Sequence, residues 1–462
     1  MSDTSKSGRG GFASSLGFMW AAAGSAVGLG NLWKFPYITG EYGGGAFVLV
    51  YLVCILIVGL PLMYAELIIG RRGGKDILGA LRDLTKGAGL AGTLLSWLAG
   101  GMAVLSGLLI LSFYAVVAGW AVHFFMLSVG GLDLGEGAGE TFGALVGNGP
   151  VSAAWHTLFM AMTIFVVTRG IKGGIETACK ILMPTLVGIL SILLVYVAFT
   201  GGLGESLAFL FKPDFSKLSG DAVLEALGHA FFTLSLGMGV MVTYGSYLKD
   251  ERHVVRDGFW VALLDTVIAL MAGAVIFAVV FSNDLEASAG PGLLFATLPG
   301  LFAGMPGGAL VSAAFFLLVV FAALSSAISL LEVVVAYIVD EFGVPRLRAT
   351  LGMGAVIWLI GLASAFGLNM PVFLPEALGG GQAVLDTLDN LTTKYLLPLG
   401  GLLIAIAAGW MLSKQDRESG FSALRGNGDR LVSSWTFLIR FVTPVLILLV
   451  ILKGIGIIDF GD

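Results

Sequence analysis

The chain has 462 residues, of which 57% are hydrophobic and only 12% are charged, and its mean hydropathy is +0.96. Soluble domains carry about 25% charged residues, so the composition excludes an ordinary soluble protein and predicts a membrane protein. The net charge of −5 says little about binding partners, and we expect no nucleic-acid partner. The two cysteines, Cys54 and Cys179, form no disulfide or metal-binding pattern.

Apolar segments of about 20 residues recur along the chain, and this is the length that an α-helix needs to cross a bilayer. They predict eleven spans, numbered 1 to 11 and centred near Val27, Ile57, Leu109, Ile164, Leu190, Leu236, Ala269, Phe321, Trp358, Leu403 and Leu446. Spans 3 (91–127) and 8 (308–341) are longer than one crossing. The pieces between spans are loops rather than domains. We therefore expect an all-α polytopic membrane protein with a single transmembrane domain over residues 1–462.

Most of the 25 basic residues lie in the N-terminus and in alternate loops, whereas the opposite loops are acidic or neutral. Lys6, Arg9, Arg71 and Arg72 represent the first group, and Glu140 the second. The positive-inside rule makes the basic side cytoplasmic. The odd number of spans then places the N-terminus inside and the C-terminus outside a plasma (inner) membrane. We interpret the first apolar stretch as an uncleaved span rather than a signal peptide.

Two spans contain a stretch that weakens a helix where lipid demands a complete one. These stretches are 24–31 (GSAVGLGN) in span 1 and 235–239 (SLGMG) in span 6. Hydrocarbon offers no water to replace lost backbone hydrogen bonds, so a break is tolerated only where it is buried or lines a cavity. Interrupted spans at matching places in two halves predict the binding site of a secondary transporter.

Spans 1–5 and 6–10 can be superposed as two five-span units whose first members are both broken. Because five is odd, the second unit must be inverted relative to the first. We expect repeat one over about residues 10–200, repeat two over about 224–413, and an extra helix over about 433–458.

Four motifs occur in one order over nearly the whole chain. They are Gly24–Pro36 (GSAVGLGNLWKFP), Pro61–Gly74 (PLMYAELIIGRRGG), Phe231–Tyr247 (FFTLSLGMGVMVTYGSY) and Ala322–Ser326 (AALSS). Together they closely resemble the neurotransmitter:sodium symporters, and in particular bacterial amino-acid members such as the leucine transporter and the eleven-span carriers of hydrophobic or aromatic amino acids. The resemblance implies the leucine-transporter-type fold and sodium-coupled amino-acid symport by alternating access.

The resemblance implies that a first sodium site takes oxygens from spans 1, 6 and 7 and one oxygen of the substrate carboxylate. Its residues would be Ala26, Asn31, Thr233 and Asp265. Hard cations need several oxygen ligands, and unwound backbone supplies some of them. Asp265 stands where the family commonly has Asn. Two unit charges about 4 Å apart attract by roughly 4 kcal/mol at an effective dielectric constant of about 20, so this fixed charge predicts chloride independence.

A second sodium site would use the carbonyls of Gly24, Val27 and Ala322 with the hydroxyls of Ser325 and Ser326. Small hydroxyl residues in a span more often serve helix packing. The match of the serine pair to the family motif favours the site instead. We expect two sodium ions and no organic cofactor.

The resemblance places the substrate between the two breaks. The half-helix N-terminus of span 1 and the Tyr114 hydroxyl would receive its carboxylate, and freed carbonyls of span 6 would receive its ammonium group. The predicted lining residues are Ala26, Gly28, Gly30, Ile110, Tyr114, Phe232, Thr233, Ser235, Met238, Ser326 and Leu330. Gly28 leaves open the space that monoamine transporters fill with an acidic residue, and Met238 replaces an aromatic residue. The open space at Gly28 favours a substrate that carries its own carboxylate, and the adaptable Met238 favours a large hydrophobic or aromatic amino acid.

An aromatic lid and an ion pair are expected to gate the pocket from outside. Tyr114 and Phe232 would close over the substrate, and Lys34 would pair with Asp389. Most relatives carry Arg at the position of Lys34, and Lys keeps the charge without the planar fork.

On the inner side, Arg9 would pair with Asp340, helped by Ser246 and Tyr247. Glu66 would support the site by accepting hydrogen bonds from the unwound backbone of span 1.

Other readings remain open at this stage. His229, one turn before Thr233, is either a proton carrier or an ordinary hydrogen-bonded residue, and proton coupling through His229 and Asp265 is the alternative to sodium coupling. A channel is disfavoured because paired breaks enclose a pocket. An enzyme is disfavoured because neither HExxH nor GxSxG lies on a span. Lys394 and Arg440 need partners within the membrane. The expected partners are an amino acid and the lipid bilayer, and the sequence favours no oligomeric state.

Overall fold

The structure is a computed structural model that describes residues 10–131, 137–248, 254–285, 287, 291–367, 382–421 and 428–458. These residues are almost entirely helical, with an isolated antiparallel bridge between Gly44 and Pro213. The helices pack around one continuous buried core, while large apolar side chains such as Phe199 and Leu310 face outward. This distribution suits a protein whose solvent is lipid.

Within the described residues, nine helices are long and apolar enough to cross a bilayer. They are Gly45–Gly73, Gly89–Val129, Gly149–Thr168, Ile171–Thr200, Val254–Phe281, Gly308–Phe342, Arg346–Phe366, Val384–Met411 and Asp429–Gly454. These helices are spans 2 to 5 and 7 to 11. The two predicted spans that are absent from this set are spans 1 and 6, both of which are interrupted as expected.

Shorter helices occupy the segments between spans. They are Ile77–Thr85, Ala138–Gly147, Leu203–Phe211, Leu298–Ala303 and Lys414–Phe421. Short π-helical stretches occur within spans 2, 5, 10 and 11, at Ile55–Gly59, Ile171–Glu176, Leu391–Leu396 and Leu438–Val442. No described segment between spans is large enough to form a separate domain.

Span 1 consists of two half-helices, Ser15–Ala26 and Phe35–Glu41, joined by the π-helical segment Gly30–Lys34. The first half ends at Val27, whose backbone is extended (φ −74°, ψ 105°). Beyond it, the backbone N–H of Gly28 donates to Asn31 Oδ1 at 3.0 Å, and that of Leu29 donates to Tyr114 Oη at 3.2 Å. Side chains therefore satisfy donors that a continuous helix would direct to backbone carbonyls four residues earlier.

Span 6 consists of Gly220–Thr233 and Val240–Ser246, and the segment between them has left-handed backbone at three positions. Gly237 (φ 77°) and Gly239 (φ 76°) adopt it freely, whereas Ser235 (φ 54°) is one of the uncommon non-glycine cases. A Cβ on Gly237 would lie 2.4 Å from the carbonyl oxygen of Leu397 in span 10. Glycine is thus required for both the conformation and the close approach.

Candidate substrate and sodium sites

The two breaks meet at one buried pocket near the centre of the helix bundle. Its walls come from spans 1, 3, 6 and 8 and enclose a free volume of about 30 Å³. Every residue of the predicted substrate list lines it: Ala26, Gly28, Gly30, Ile110, Tyr114, Phe232, Thr233, Ser235, Met238, Ser326 and Leu330. Bringing residues from positions 26 to 330 to one cavity requires the interrupted helices to face each other.

Two further residues, Ser25 and Leu29, line the pocket and were absent from the prediction. Leu29 contributes its backbone N–H, which donates a hydrogen bond to the Tyr114 hydroxyl. Both residues belong to the weakened stretch 24–31, and the polar side chain of Ser25 inside that stretch is a sequence signal that the prediction did not use.

The four residues predicted for the first sodium site lie beside this pocket. Asp265 is fully buried and accepts hydrogen bonds from Thr233 Oγ1 at 3.0 and 3.1 Å and from Asn31 Nδ2 at 2.8 Å. Ala26 and Thr233 line the pocket wall. None of the ion pairs in the described part of the chain involves Asp265. Burying an ionised carboxylate is costly unless a cation accompanies it, so this cluster is chemically suited to hold one.

The residues of the second predicted sodium site also come together. Ser326 Oγ lies 3.2 Å from the carbonyl oxygens of both Gly24 and Val27. Ser325 Oγ lies 3.0 Å from the carbonyl oxygen of Ala322, and a Cβ added to Gly24 would contact the Cβ of Ser325 at 3.0 Å. The break in span 1 frees the carbonyls of Gly24 and Val27, and span 8 brings the Ser326 hydroxyl against them.

Glu66 supports a different break from the one predicted. Its Oε1 accepts the backbone N–H of Gly237 at 2.7 Å, in the break of span 6 rather than of span 1. Glu66 is fully buried in span 2. The expectation of a span 1 partner is therefore corrected, because the backbone donors of the span 1 break are taken by Asn31 and Tyr114.

Comparison with known proteins decides the family. The sequence pattern of the Sodium:neurotransmitter symporter family matches residues 9–134 and 146–459. The chain belongs to this family of transporters. The resemblance inferred from the four motifs is confirmed, and the chain is a multi-pass membrane protein.

Relatives of this symporter come from bacteria and animals. An uncharacterized sodium-dependent transporter, YhdH of Bacillus subtilis, is 36% identical over 97% of this chain and 98% of its own length. The Drosophila melanogaster sodium- and chloride-dependent GABA transporter ine is 26% identical over 86% of this chain and 46% of its own length. The crystal structure of MhsT in complex with L-phenylalanine has 42% sequence identity and a TM-score of 0.87, covering 97% of this chain and 100% of that one. The predicted leucine-transporter-type fold is confirmed.

A second cavity, which we call the outer cavity on the basis of the predicted topology, has a volume of about 190 Å³ and adjoins the central pocket of the symporter. The two cavities share Leu29, Gly30, Tyr114 and Phe232, so both residues of the predicted lid line both cavities. Lys34 lies on the outer side, with its Nζ 5.6 Å from the centre of the Phe232 ring.

The outer ion pair differs from the prediction. Lys34 Nζ lies 3.8 Å from Glu225 Oε1, whereas none of the ion pairs among the described residues joins Lys34 to Asp389. Asp389 lines both outer cavities together with Lys34. Glu225 lies two turns before Thr233 on span 6, where helix packing brings it within reach of the long Lys34 side chain.

Of the ion pair predicted for the inner gate, Arg9 lies outside the described residues. Asp340, its predicted partner, accepts the backbone N–H of Asp76 at 2.7 Å. Phe12 is buried and packs edge-on against Tyr244 and Tyr247, with ring centres 5.5 and 6.3 Å apart. These three rings form one buried aromatic cluster.

Tyr247 belongs to a polar cluster that the sequence did not reveal. Its hydroxyl donates to Glu332 Oε1 at 2.5 Å, and Arg346 donates to both oxygens of the same carboxylate. Arg346 Nη2 also donates to the carbonyl oxygen of Val167 at 3.1 Å. The cluster joins spans 4, 6, 8 and 9. The intramembrane position of Glu332 was its only sequence signal.

A second unpredicted cluster fixes the start of span 1. Glu176 of span 5 accepts hydrogen bonds from the backbone N–H of Ala13 at 2.6 Å and from Ser14 Oγ at 3.0 Å. Lys180 Nζ approaches the same carboxylate at 2.6 Å. A negative charge at a helix N-terminus is favourable, so Glu176 anchors the first half-helix.

The three unassigned intramembrane residues have distinct surroundings. His229 is fully buried against the rings of Phe35 and Tyr51, and neither ring nitrogen has a hydrogen-bond partner in the described part of the chain. Arg440 Nε donates to the carbonyl oxygen of Gly409 in span 10. Lys394 lines the second outer cavity, of about 380 Å³.

Proposed function

We propose that the protein moves an amino acid into the cell together with sodium by alternating access. The observation that carries this proposal is the buried pocket at which both interrupted helices meet. Unwound backbone at the pocket offers bare N–H and carbonyl groups, which match the two charged ends of an amino acid. Each sodium ion that moves down a 100 mV potential contributes about 2.3 kcal/mol, so two ions can drive steep accumulation.

The substrate carboxylate binds near the start of the second half of span 1 and the Tyr114 hydroxyl. The positive end of a half-helix dipole favours an anion there. The ammonium group binds carbonyls of span 6. The apolar walls, formed by Ile110, Phe232, Met238 and Leu330, favour a large hydrophobic or aromatic side chain. The complex of MhsT with L-phenylalanine supports this class and provides a probe.

Sodium site one uses Ala26, Asn31, Thr233 and Asp265, and sodium site two uses Gly24, Val27, Ala322, Ser325 and Ser326. The charge of Asp265 replaces the negative charge that a bound chloride ion would provide, so transport is independent of chloride. Two observations support this assignment. Asp265 accepts hydrogen bonds from Thr233 and Asn31, and it has no ion-pair partner among the described residues.

Uptake of labelled L-phenylalanine into proteoliposomes tests the proposal. A sodium gradient should drive saturable uptake that a potassium gradient does not, with the phenylalanine recovered unaltered. Non-saturating flux would indicate a channel, and altered phenylalanine an enzyme. Indifference of uptake to sodium would refute sodium coupling.

The D265N variant tests the role of the carboxylate. Its amide has the same shape without the charge, so uptake should fall about tenfold or more in sodium gluconate, as expected for a loss of at least about 1.4 kcal/mol. Sodium chloride should restore part of the uptake by D265N, because a chloride ion can supply the missing negative charge. Wild-type uptake should be equal in both salts. D429N, which neutralises an exposed carboxylate at the start of span 11, is the matched control and should behave as wild type.

Proton coupling through His229 and Asp265 is less well supported. His229 packs between aromatic rings, and no hydrogen bond joins it to Asp265 among the described residues. A proton gradient without sodium should therefore drive no uptake.

We further propose two inverted repeats over about residues 10–200 and 224–413, with an extra helix over about 433–458. The N-terminus lies in the cytoplasm and the C-terminus outside the plasma (inner) membrane.

A further inference from the structure

Four buried serine side chains from spans 1, 6 and 8 form one hydrogen-bonded group, which we call the serine network: Ser25, Ser235, Ser326 and Ser329. Ser25 Oγ lies 3.1 Å from Ser235 Oγ and 2.7 Å from Ser329 Oγ. Ser329 Oγ donates to the carbonyl oxygen of Ser326 at 2.7 Å. Three of the four line the central pocket, and Ser329 does not. The network thus joins both broken helices to span 8.

The backbone carbonyl of Ser25 is the shared acceptor of this network. Ser235 Oγ donates to it at 2.9 Å, and Ser326 Oγ lies 3.1 Å from it. A carbonyl oxygen has two lone pairs, so it can accept both hydroxyls. Ser326 has only one proton, however, and the carbonyl oxygens of Gly24 and Val27 compete for it at 3.2 Å each.

Sodium at the second site would change this competition. The ion would take the carbonyls of Gly24 and Val27 together with the Ser326 oxygen. The hydroxyl proton is then left with the Ser25 carbonyl, because that oxygen is not a ligand of the ion. Occupancy of the sodium site therefore strengthens the hydrogen bond at the carbonyl that Ser235 also uses.

Ser235 passes this change to the substrate pocket. It lines the pocket wall and has a left-handed backbone (φ 54°), which non-glycine residues rarely adopt. Ser235 Oγ donates to the carbonyl oxygen of Ser25 at 2.9 Å and lies 3.1 Å from Ser25 Oγ, and these contacts hold Ser235 in that conformation. A change at the Ser25 carbonyl thus alters the group that holds the pocket wall in place.

We propose, on the basis of the function proposed above, that Ser25 and Ser329 are positioning residues that couple occupancy of the second sodium site to the substrate pocket. Ser329 is the more informative of the two, because it lines no part of the pocket and belongs to neither sodium site. Its hydroxyl is hydrogen-bonded to Ser25 Oγ and to the carbonyl oxygen of Ser326.

Equilibrium binding of labelled L-phenylalanine to the purified full chain tests this role. The ratio of phenylalanine affinity at saturating sodium to that at low sodium is the coupling factor, and such factors commonly lie between about 5 and 150. S329A should lower the factor about fivefold or more. Some coupling should remain, because the first sodium site contacts the substrate directly. A purely structural role would weaken binding equally at every sodium concentration and leave the ratio unchanged.

S312A is the matched control. Ser312 lies on the same span, is buried, and pairs with Ser128 Oγ at 2.8 Å, but it lines no part of the pocket. Its coupling factor should equal that of the wild type. Because linkage is reciprocal, the ratio of the sodium affinity at saturating phenylalanine to that without phenylalanine should fall in S329A by the same factor as the phenylalanine ratio.

The double variant S25A/S329A decides whether the two hydroxyls act in one chain. If they do, the double variant loses no more coupling than the more affected single variant. Unchanged coupling in both single variants, or fully additive losses, would overturn the proposal. If S329A does not fold, S25A provides the comparison. A wild-type chain that binds no amino acid in a sodium-dependent way would instead refute the proposed function itself.

Discussion

At the scale of single residues, Gly28 shows how a missing side chain shapes the site. A Cβ at this position would lie 2.6 Å from Ser326 Oγ and 2.9 Å from Tyr114 Oη. Both distances are shorter than real Cβ contacts. The sequence indicated that Gly28 leaves space in the pocket, and the structure adds that two hydroxyls of the proposed site border this space.

The variant G28A should weaken sodium-dependent L-phenylalanine binding about tenfold or more. Forcing an extra methyl group into a packed site costs about 1–3 kcal/mol, and about 1.4 kcal/mol corresponds to tenfold in affinity. Equilibrium binding to the purified chain measures the change. G101A in span 3 is the matched control, since a Cβ there meets nothing within 4 Å, and its affinity should match the wild type. Equal affinities for both variants would contradict the steric argument.

At the scale of elements, side chains satisfy backbone N–H groups at each break, one from the same span and two from neighbouring helices. Asn31 and Tyr114 accept backbone donors of span 1, and Glu66 accepts the N–H of Gly237 in span 6. Glycine-rich sequence explains why the helices can break. The polar acceptors explain why the broken state is stable in an apolar interior.

The variant E66A should lower the melting temperature of the purified chain, because the buried N–H of Gly237 loses its acceptor. Such a loss costs about 1–3 kcal/mol. E66Q keeps an acceptor oxygen at the same place, so its melting temperature should fall less than that of E66A. Thermal unfolding in detergent compares the two variants, and equal melting temperatures for E66A and the wild type would count against the assigned role.

The helix Ile77–Thr85, between spans 2 and 3, begins at a carboxylate with an unusual environment. Burial raises the pKa of Asp76 from 3.8 to about 7, with a further contribution from the nearby carboxylate of Asp340. Hydrogen bonds from the backbone N–H groups of Gly79 and Leu78 oppose this rise without cancelling it. The Asp76 carboxyl of the folded chain therefore keeps its proton at pH values where the same group in the unfolded chain has released it.

Because the folded-state pKa is the higher one, the contribution of Asp76 to stability is full below pH 3.8 and declines as the pH rises toward about 7. D76N keeps an oxygen that can cap the helix but cannot ionise. Its melting temperature should therefore fall less than that of the wild type between pH 5 and pH 8. Parallel pH profiles for the two proteins would show that Asp76 titrates normally.

At the scale of the whole molecule, spans 1, 3, 6 and 8 enclose the pocket together, so a bound ligand contacts elements from both halves of the chain. Only the folded protein brings these elements together. Ligand binding must therefore favour the folded state.

Sodium and L-phenylalanine should accordingly raise the melting temperature, and more together than separately. A ligand at 100 times its dissociation constant stabilises by about 2.7 kcal/mol. Thermal unfolding with sodium or potassium chloride, with and without phenylalanine, measures the effect. Equal melting temperatures in the two salts would contradict sodium binding.

Local composition was sufficient to locate the spans and the two breaks, whereas the family resemblance supplied the predicted lining of the pocket, without Ser25 and Leu29. Hydrophobic length and glycine spacing act within a few turns of helix, so they can be recognised without knowing the packing. The family motifs then related the two breaks to each other. Glu176 escaped notice because an isolated acidic residue at the edge of a span does not reveal that it anchors span 1.

The sequence by itself thus determined where the helices stop and which residues surround the gap. Only the tertiary structure decided which long polar side chains pair: Lys34 with Glu225, Glu66 with Gly237, and Glu332 with Arg346 and Tyr247. The physical reason is reach. A long side chain has several partners within its radius, and the packing of the helices determines which of them lies closest.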